Sequence, residues 1–166
     1  MSFTANEIKN LALMELNHET ITDWTDTSNT DIPIINTQYA LAKPVALSMY
    51  QWSWTFKYAE LTGSDNTGTQ LTKYKKKFTL PTDFIGYLSC YTNEQLSILA
   101  DYVSVGDTIY SNSDKLYIKY IASVEESAFP AEFVDWFKIF LAQRLNGYLN
   151  GDMQRQQLLS GEEPFY

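Results

Sequence analysis

The hydrophobic positions of this chain change period twice, and the changes mark off three stretches. Near the start, Ile8, Leu11, Ala12 and Leu16 recur at helical spacing on one face. Thr4 and Glu7 have the spacing of a capping box, and Phe3 and Ile8 stand at staple positions. A first helix is therefore predicted, fading near Asn17 and His18. Residues 22–32 are mostly short polar side chains that favour turns. A second helix is predicted over 36–56. Pro44 lies inside it and should kink or restart it, because proline lacks an N–H donor. The segment closes on the aromatic run Tyr50, Trp52, Trp54 and Phe56.

From Tyr74 the period becomes two. Tyr74, Phe78 and Leu80 alternate with polar residues, and 85–91 reads as a second strand. Gly106 and Asp107 separate two short β-branched runs, a hairpin signal with glycine first, as a type II′ turn prefers. Residues 116–121 form the clearest strand, rich in aromatic and β-branched side chains. Helical spacing then returns. Pro130, followed by Glu132 and Asp135, suits a helix start. Phe133, Phe137, Phe140, Leu141 and Leu145 give that helix a wide apolar face. Residues 152–159 read as a short last helix, and Gly161 releases an acidic tail ending in Phe165 and Tyr166. The predicted fold class is α+β within a single domain, 1–166. It is a mainly α-helical bundle (1–60 and 128–160) with a small antiparallel β-insert (74–122) between the second and third long helices.

The formal net charge of −8 narrows the functions. A field of that sign repels phosphate, so a sequence-independent DNA binder is not expected. Cys90 is the one cysteine and sits in an apolar run, where a buried, inert thiol is expected. The first residues lack a basic start and a long apolar core, so a soluble protein of a reducing cytoplasm, without a membrane partner, is expected. His18, the single histidine, falls where the first helix ends and is expected to interact with its last carbonyls. Asp23, Asp26 and Asn29 offer oxygen ligands but lack the glycine and terminal glutamate of an EF-hand. No catalytic, cofactor-binding or metal-ligating residues are assigned, and no cofactor is expected. An enzyme built on Asp83 and Asp107 would require the fold to bring those carboxylates together. Lys75, Lys76 and Lys77 are the one basic cluster, suited to a solvated strand edge, to a partner's acidic patch or to a DNA phosphate. Trp52 and Trp54 suit a core or a subunit interface.

Tyr39-x-x-Ala42-Lys43-x-x-x-Leu47 followed by Trp52-x-Trp54 resembles the second-helix signature of tail tubular protein A, the family of head-to-tail adaptors of podovirus-like bacteriophages. The Tyr74-x-x-x-Phe78-x-Leu80-Pro81-x-Asp83 strand, the Gly106-Asp107 hairpin, the Leu116 to Ile121 strand and Phe129-Pro130-x-x-Phe133 follow in that family's order. Lys43 stands where the family favours arginine, Pro44 is inserted, Trp54 replaces a phenylalanine, and 92–102 has no assigned place. The resemblance implies a non-enzymatic virion protein of the head-tail neck, assembled in the host cytoplasm. It implies self-association into a ring of about twelve copies that joins the portal protein to a downstream tail ring protein. DNA would pass through its lumen without specific binding. The interface residues expected on this reading are Trp52, Trp54, Lys75, Lys76, Lys77, Phe165 and Tyr166. The alternative is a monomeric module that binds carbohydrate or peptide through aromatics such as Trp52, Trp54 and Tyr117.

Overall fold

The structure is a computed structural model that describes residues 2–149 and Gly161. Among the described residues 2–149 it contains three α-helices, α1 (Ala5–Glu15), α2 (Asp31–Met49) and α3 (Ala131–Leu149), and seven strands between α2 and α3. The strands are β1 (Phe56–Thr62), β2 (Ser64–Asp65), β3 (Lys76–Thr79), β4 (Phe84–Tyr91), β5 (Tyr102–Val105), β6 (Thr108–Ser111) and β7 (Lys115–Ala122). They form two antiparallel sheets, ordered β1-β7-β4 and β2-β3-β6-β5. The expectation of a mainly helical bundle is thereby overturned. The error lies at 50–62. Helix α2 stops at Met49, the chain turns through a 3-10 segment at Ser53–Thr55, and β1 then pairs with β7 along all seven of its residues. Its sequence carries the period-two signal: Ala59 and Leu61 pack on the core while Tyr58, Glu60 and Thr62 face out.

The chain divides into two compact units, Met1–Ala46 with Val124–Tyr166, and Leu47–Ser123. In the helical unit, the Thr4 hydroxyl accepts from the Glu7 amide at 3.3 Å, and the Glu7 carboxylate accepts from the Thr4 amide at 2.7 Å. This reciprocal pair is the predicted capping box. The other end closes by backbone alone. Asn17 takes φ 53°, its N–H donates to Met14, and the His18 N–H donates to Leu13. That is a Schellman motif, with asparagine supplying the left-handed residue. Helix α2 begins at Asp31, earlier than the predicted 36, because Pro33 fits a first turn whose N–H groups need no intrahelical partner. It also runs unbroken through Pro44 rather than restarting there. Helix α3 buries Phe133, Trp136, Phe137, Leu141 and Leu145, and the Tyr39 ring of α2 meets Phe137 at 5.7 Å between centroids.

The β unit has one core drawn from both sheets. Phe78, Leu80 and Ile109 pack with Cys90, Leu116, Ile118, Tyr120 and Ala122. Gly63 makes the corner between β1 and β2. A Cβ there would lie 2.8 Å from the Phe78 ring, so only glycine lets the chain turn so close to that side chain. The β5–β6 hairpin turns at Gly106 with φ 61°, while Asp107 stays out of the positive-φ region, matching the type II′ expectation. In β4 the pairing with β7 shifts register on either side of Gly86, and Tyr87 takes φ 41° there, the mark of a bulge.

Candidate interaction surfaces

Of the lysine run, the structure separates one member from the other two. Lys76 turns toward Asp65 at 2.8 Å and Asp114 at 3.4 Å. The hydrogen bond Lys76 donates to Asp65, together with the charge of that carboxylate, raises the Lys76 pKa. Lys75 and Lys77 are exposed and form no ion pair with a described residue. Lys77 lies opposite Tyr110 in the β3–β6 ladder, and Tyr110 lies opposite Val103 of β5. The outer face of the four-stranded sheet therefore combines two unneutralised ammonium groups with Tyr110 and Val105, the latter 52% exposed.

The tryptophans form a second cluster. The Trp52 ring meets Tyr50 edge-on at 5.2 Å and lies 6.3 Å from Trp54. Both tryptophans are half-buried. Tyr117, the third aromatic of the binding-module alternative, does not join them. It pairs with Glu60, which is four residues and about 13 Å of strand beyond Phe56. Its actual neighbours make a groove that sequence reading missed.

That groove lies on the outer face of the three-stranded sheet. Tyr58, Glu60, Glu94, Leu96 and Tyr117 line a space of about 230 Å³. Tyr58 is 60% exposed. Glu94 and Leu96 come from 92–98, part of the stretch with no assigned place, which folds back against β4 through a Tyr91–Leu99 bridge. Asn93 holds this loop: its Oδ1 accepts from the Ser97 and Ile98 amides at 3.1 and 3.0 Å, and its Nδ2 donates to Ser97 Oγ at 2.7 Å. Tyr117 donates to Glu94 at 3.5 Å, and Lys115 is bonded to Glu60. Burial, then the charges of Glu60 and Glu94, raise the Tyr117 pKa. Asn93 itself, a residue type whose side chain bonds nearby backbone amides, was the available signal for an ordered loop.

In the helical unit the Tyr39-x-x-x-Lys43 spacing acquires a physical meaning. The two residues are four apart on one helix face. Tyr39 Oη and Lys43 Nζ both donate to Glu126 Oε1, each at 2.9 Å. Burial pushes the Glu126 carboxyl up, but hydrogen bonds from Lys43, its own backbone and Tyr39 outweigh it and leave the pKa below its ordinary value. Burial, followed by the charge and hydrogen bond of Glu126, drives the Tyr39 pKa far upward. Lys9, also buried, donates to Asn6 and Asn36 and lies over the Trp24 and Tyr39 rings at 4.8 and 5.1 Å. Burial lowers its pKa. This cluster is engaged in holding helices together.

The remaining candidates are occupied structurally. The His18 backbone, not its ring, serves the α1 carbonyls. The ring lies 3.6 Å from Asp31 and contacts the Glu19 carbonyl. Asp23 and Asp26 accept from Thr25 and Ser28, closing turns within their own loop. Among the described residues, no group of three or more His, Cys, Asp or Glu side chains is placed to hold a metal ion. Asp83 accepts from Lys57 at 2.7 Å and from Tyr120 at 2.9 Å, which ties β1 and β7 to the turn before β4. The Lys57 hydrogen bond holds its pKa low, and burial pushes Tyr120 up to about 12. Asp107 stands in the hairpin turn and accepts from Thr108. Burial raises the Cys90 thiol to about 12, as expected of an inert cysteine. Phe165 and Tyr166 lie outside the described residues. No protein-family model matches the chain. No curated protein sequence matches it significantly either.

Proposed function

We propose that this protein is a structural subunit of a bacteriophage head-to-tail adaptor ring, joining the portal to the tail. The observation that carries the reading is the outer surface of the β unit. Exposed apolar and aromatic side chains, Tyr58, Ile98, Leu99 and Val105 among them, are displayed on ordered strands and on a loop pinned by Asn93. A small unit that spends this much apolar surface on solvent is built to be covered by protein. The order of the helical and strand motifs supports the same reading. The acidic charge suits a conduit to which DNA does not adhere.

A second reading, a module that binds carbohydrate or peptide, is favoured by the Tyr58–Tyr117 groove and its two carboxylates. Incubating the purified chain with portal rings encoded beside its gene separates the two. Electron cryomicroscopy should show an added ring of density beneath each portal, with the chain alone associating only weakly. Bare portals at saturating chain concentration would refute the adaptor reading.

A further inference from the structure

We infer that the β unit binds a second copy of this chain head to tail. Lys75 and Lys77 of one copy enter the groove formed by Tyr58, Glu60, Glu94 and Tyr117 of the next. The inference rests on the ring reading and adds which surfaces meet. The two sheets share one core, so their outer faces point away from each other. One outer face carries the Lys75 and Lys77 ammonium groups, which form no ion pair with a described residue, beside Tyr110 and Val105. The other carries a groove of about 230 Å³ with an aromatic and acidic lining. A contact between such unlike surfaces is heterologous: each copy offers both halves, so association continues until the rotation closes a ring.

The groove has the chemistry of a lysine receptor. Glu94 accepts from the Tyr117 hydroxyl at 3.5 Å and, among the described residues, forms no ion pair, Lys115 acting on it only at longer range. The exposed Tyr58 ring offers a face on which an ammonium group is attracted. Among the described residues, two lysines stand on this sheet face, and each is directed first to another partner. Lys115 is bonded to Glu60, and Lys119 lies over the Phe56 ring at 4.2 Å. The Asn93 clasp presents Glu94 and Leu96 on a loop already ordered, which lowers the entropy lost on docking. Lysine stems would cover Leu96 and the tyrosine rings while their charged ends reach Glu94.

Charge exchange between copies tests this. In the double variant K75E/K77E both faces are acidic, and in E94K both are basic at the contact. Sedimentation velocity over a concentration series should show self-association of each variant weakened about tenfold or more relative to the unmutated chain. An equimolar mixture should recover to within about threefold, because each variant supplies the face its partner lacks. Circular dichroism confirms that each variant is folded. A mixture no stronger than its components, a variant that associates like the unmutated chain, or an unmutated chain that does not associate overturns the inference. So do chemical-shift changes at Tyr58 and Tyr117 on adding oligosaccharide together with charge-insensitive association. If portals still acquire a ring from K75E/K77E, the adaptor reading stands and only this interface falls. If the unmutated chain adds no ring, the adaptor reading itself fails.

Discussion

In the helical unit, Tyr39, Lys43 and Glu126 meet below the surface, with the Lys43 and Glu126 side chains only 18% and 15% exposed. In the β unit, Lys57 and Asp83 are 49% and 31% exposed, and the carboxylates that hold Lys76 are more open still. The difference separates two uses of charge. A half-buried pair that shares one carboxylate oxygen fixes the registry of the elements it joins, because any slippage leaves a charge without solvent or partner. A rim pair costs little to rearrange and leaves its face available to other molecules. The helical unit thus directs one ion pair inward beside its apolar core, and the β unit keeps its ion pairs toward solvent.

The sharpest way to break this contrast is to remove one lysine from each unit. Lys43→Ala should cost about 2–3 kcal/mol, less than for a fully buried pair because both side chains keep some solvent. Lys57→Ala should cost less than about 1 kcal/mol, since water replaces the ammonium and Tyr120 still donates to Asp83. Equal losses in urea denaturation would erase the distinction. The same contrast has a pH signature. The Glu126 pKa is depressed on folding, so its contribution is present above the ordinary carboxylate range and is lost as pH falls through the depressed value. Stability of the unmutated chain should therefore fall on acidification through that window, and E126Q should flatten this limb. An unchanged acid limb in E126Q would show that other carboxylates carry it.

A second perturbation addresses the β unit alone. Gly63→Ala places a methyl group against the Phe78 ring at the corner where β1 becomes β2. Overpacking of this kind should cost about 1–3 kcal/mol, and the Phe78 ring resonances should shift. A neutral substitution with an undisturbed ring would mean that the corner is slack. The smallest expected effect lies at the start of the helical unit. Thr4→Ala removes one half of the capping box and should cost about 1 kcal/mol, with faster amide exchange confined to the first turn of α1. Protection unchanged in that turn would show that packing, not the cap, holds it.

Where one short segment carried all the physics, the sequence was enough. Thr4 with Glu7 specified a helix start, Gly106 with Asp107 specified a hairpin, and the 116–121 run specified a strand, because the groups that satisfy each backbone lie a few residues apart. Tertiary structure decided the rest. Residues 56–62 had an alternating pattern but followed a helix and an aromatic run, and became β1 because β7 supplied hydrogen-bond partners 53 to 65 residues away along the chain. The Tyr39 and Lys43 spacing was visible, yet its purpose depended on Glu126, 83 residues beyond Lys43. The groove needed β1, β7 and the Asn93 loop to be brought together before Tyr58 and Glu94 could share a surface. Short-range hydrogen bonding can be read along a chain. Which distant side chain completes a cluster depends on how the strands pair, and that is chosen by the burial of a common core.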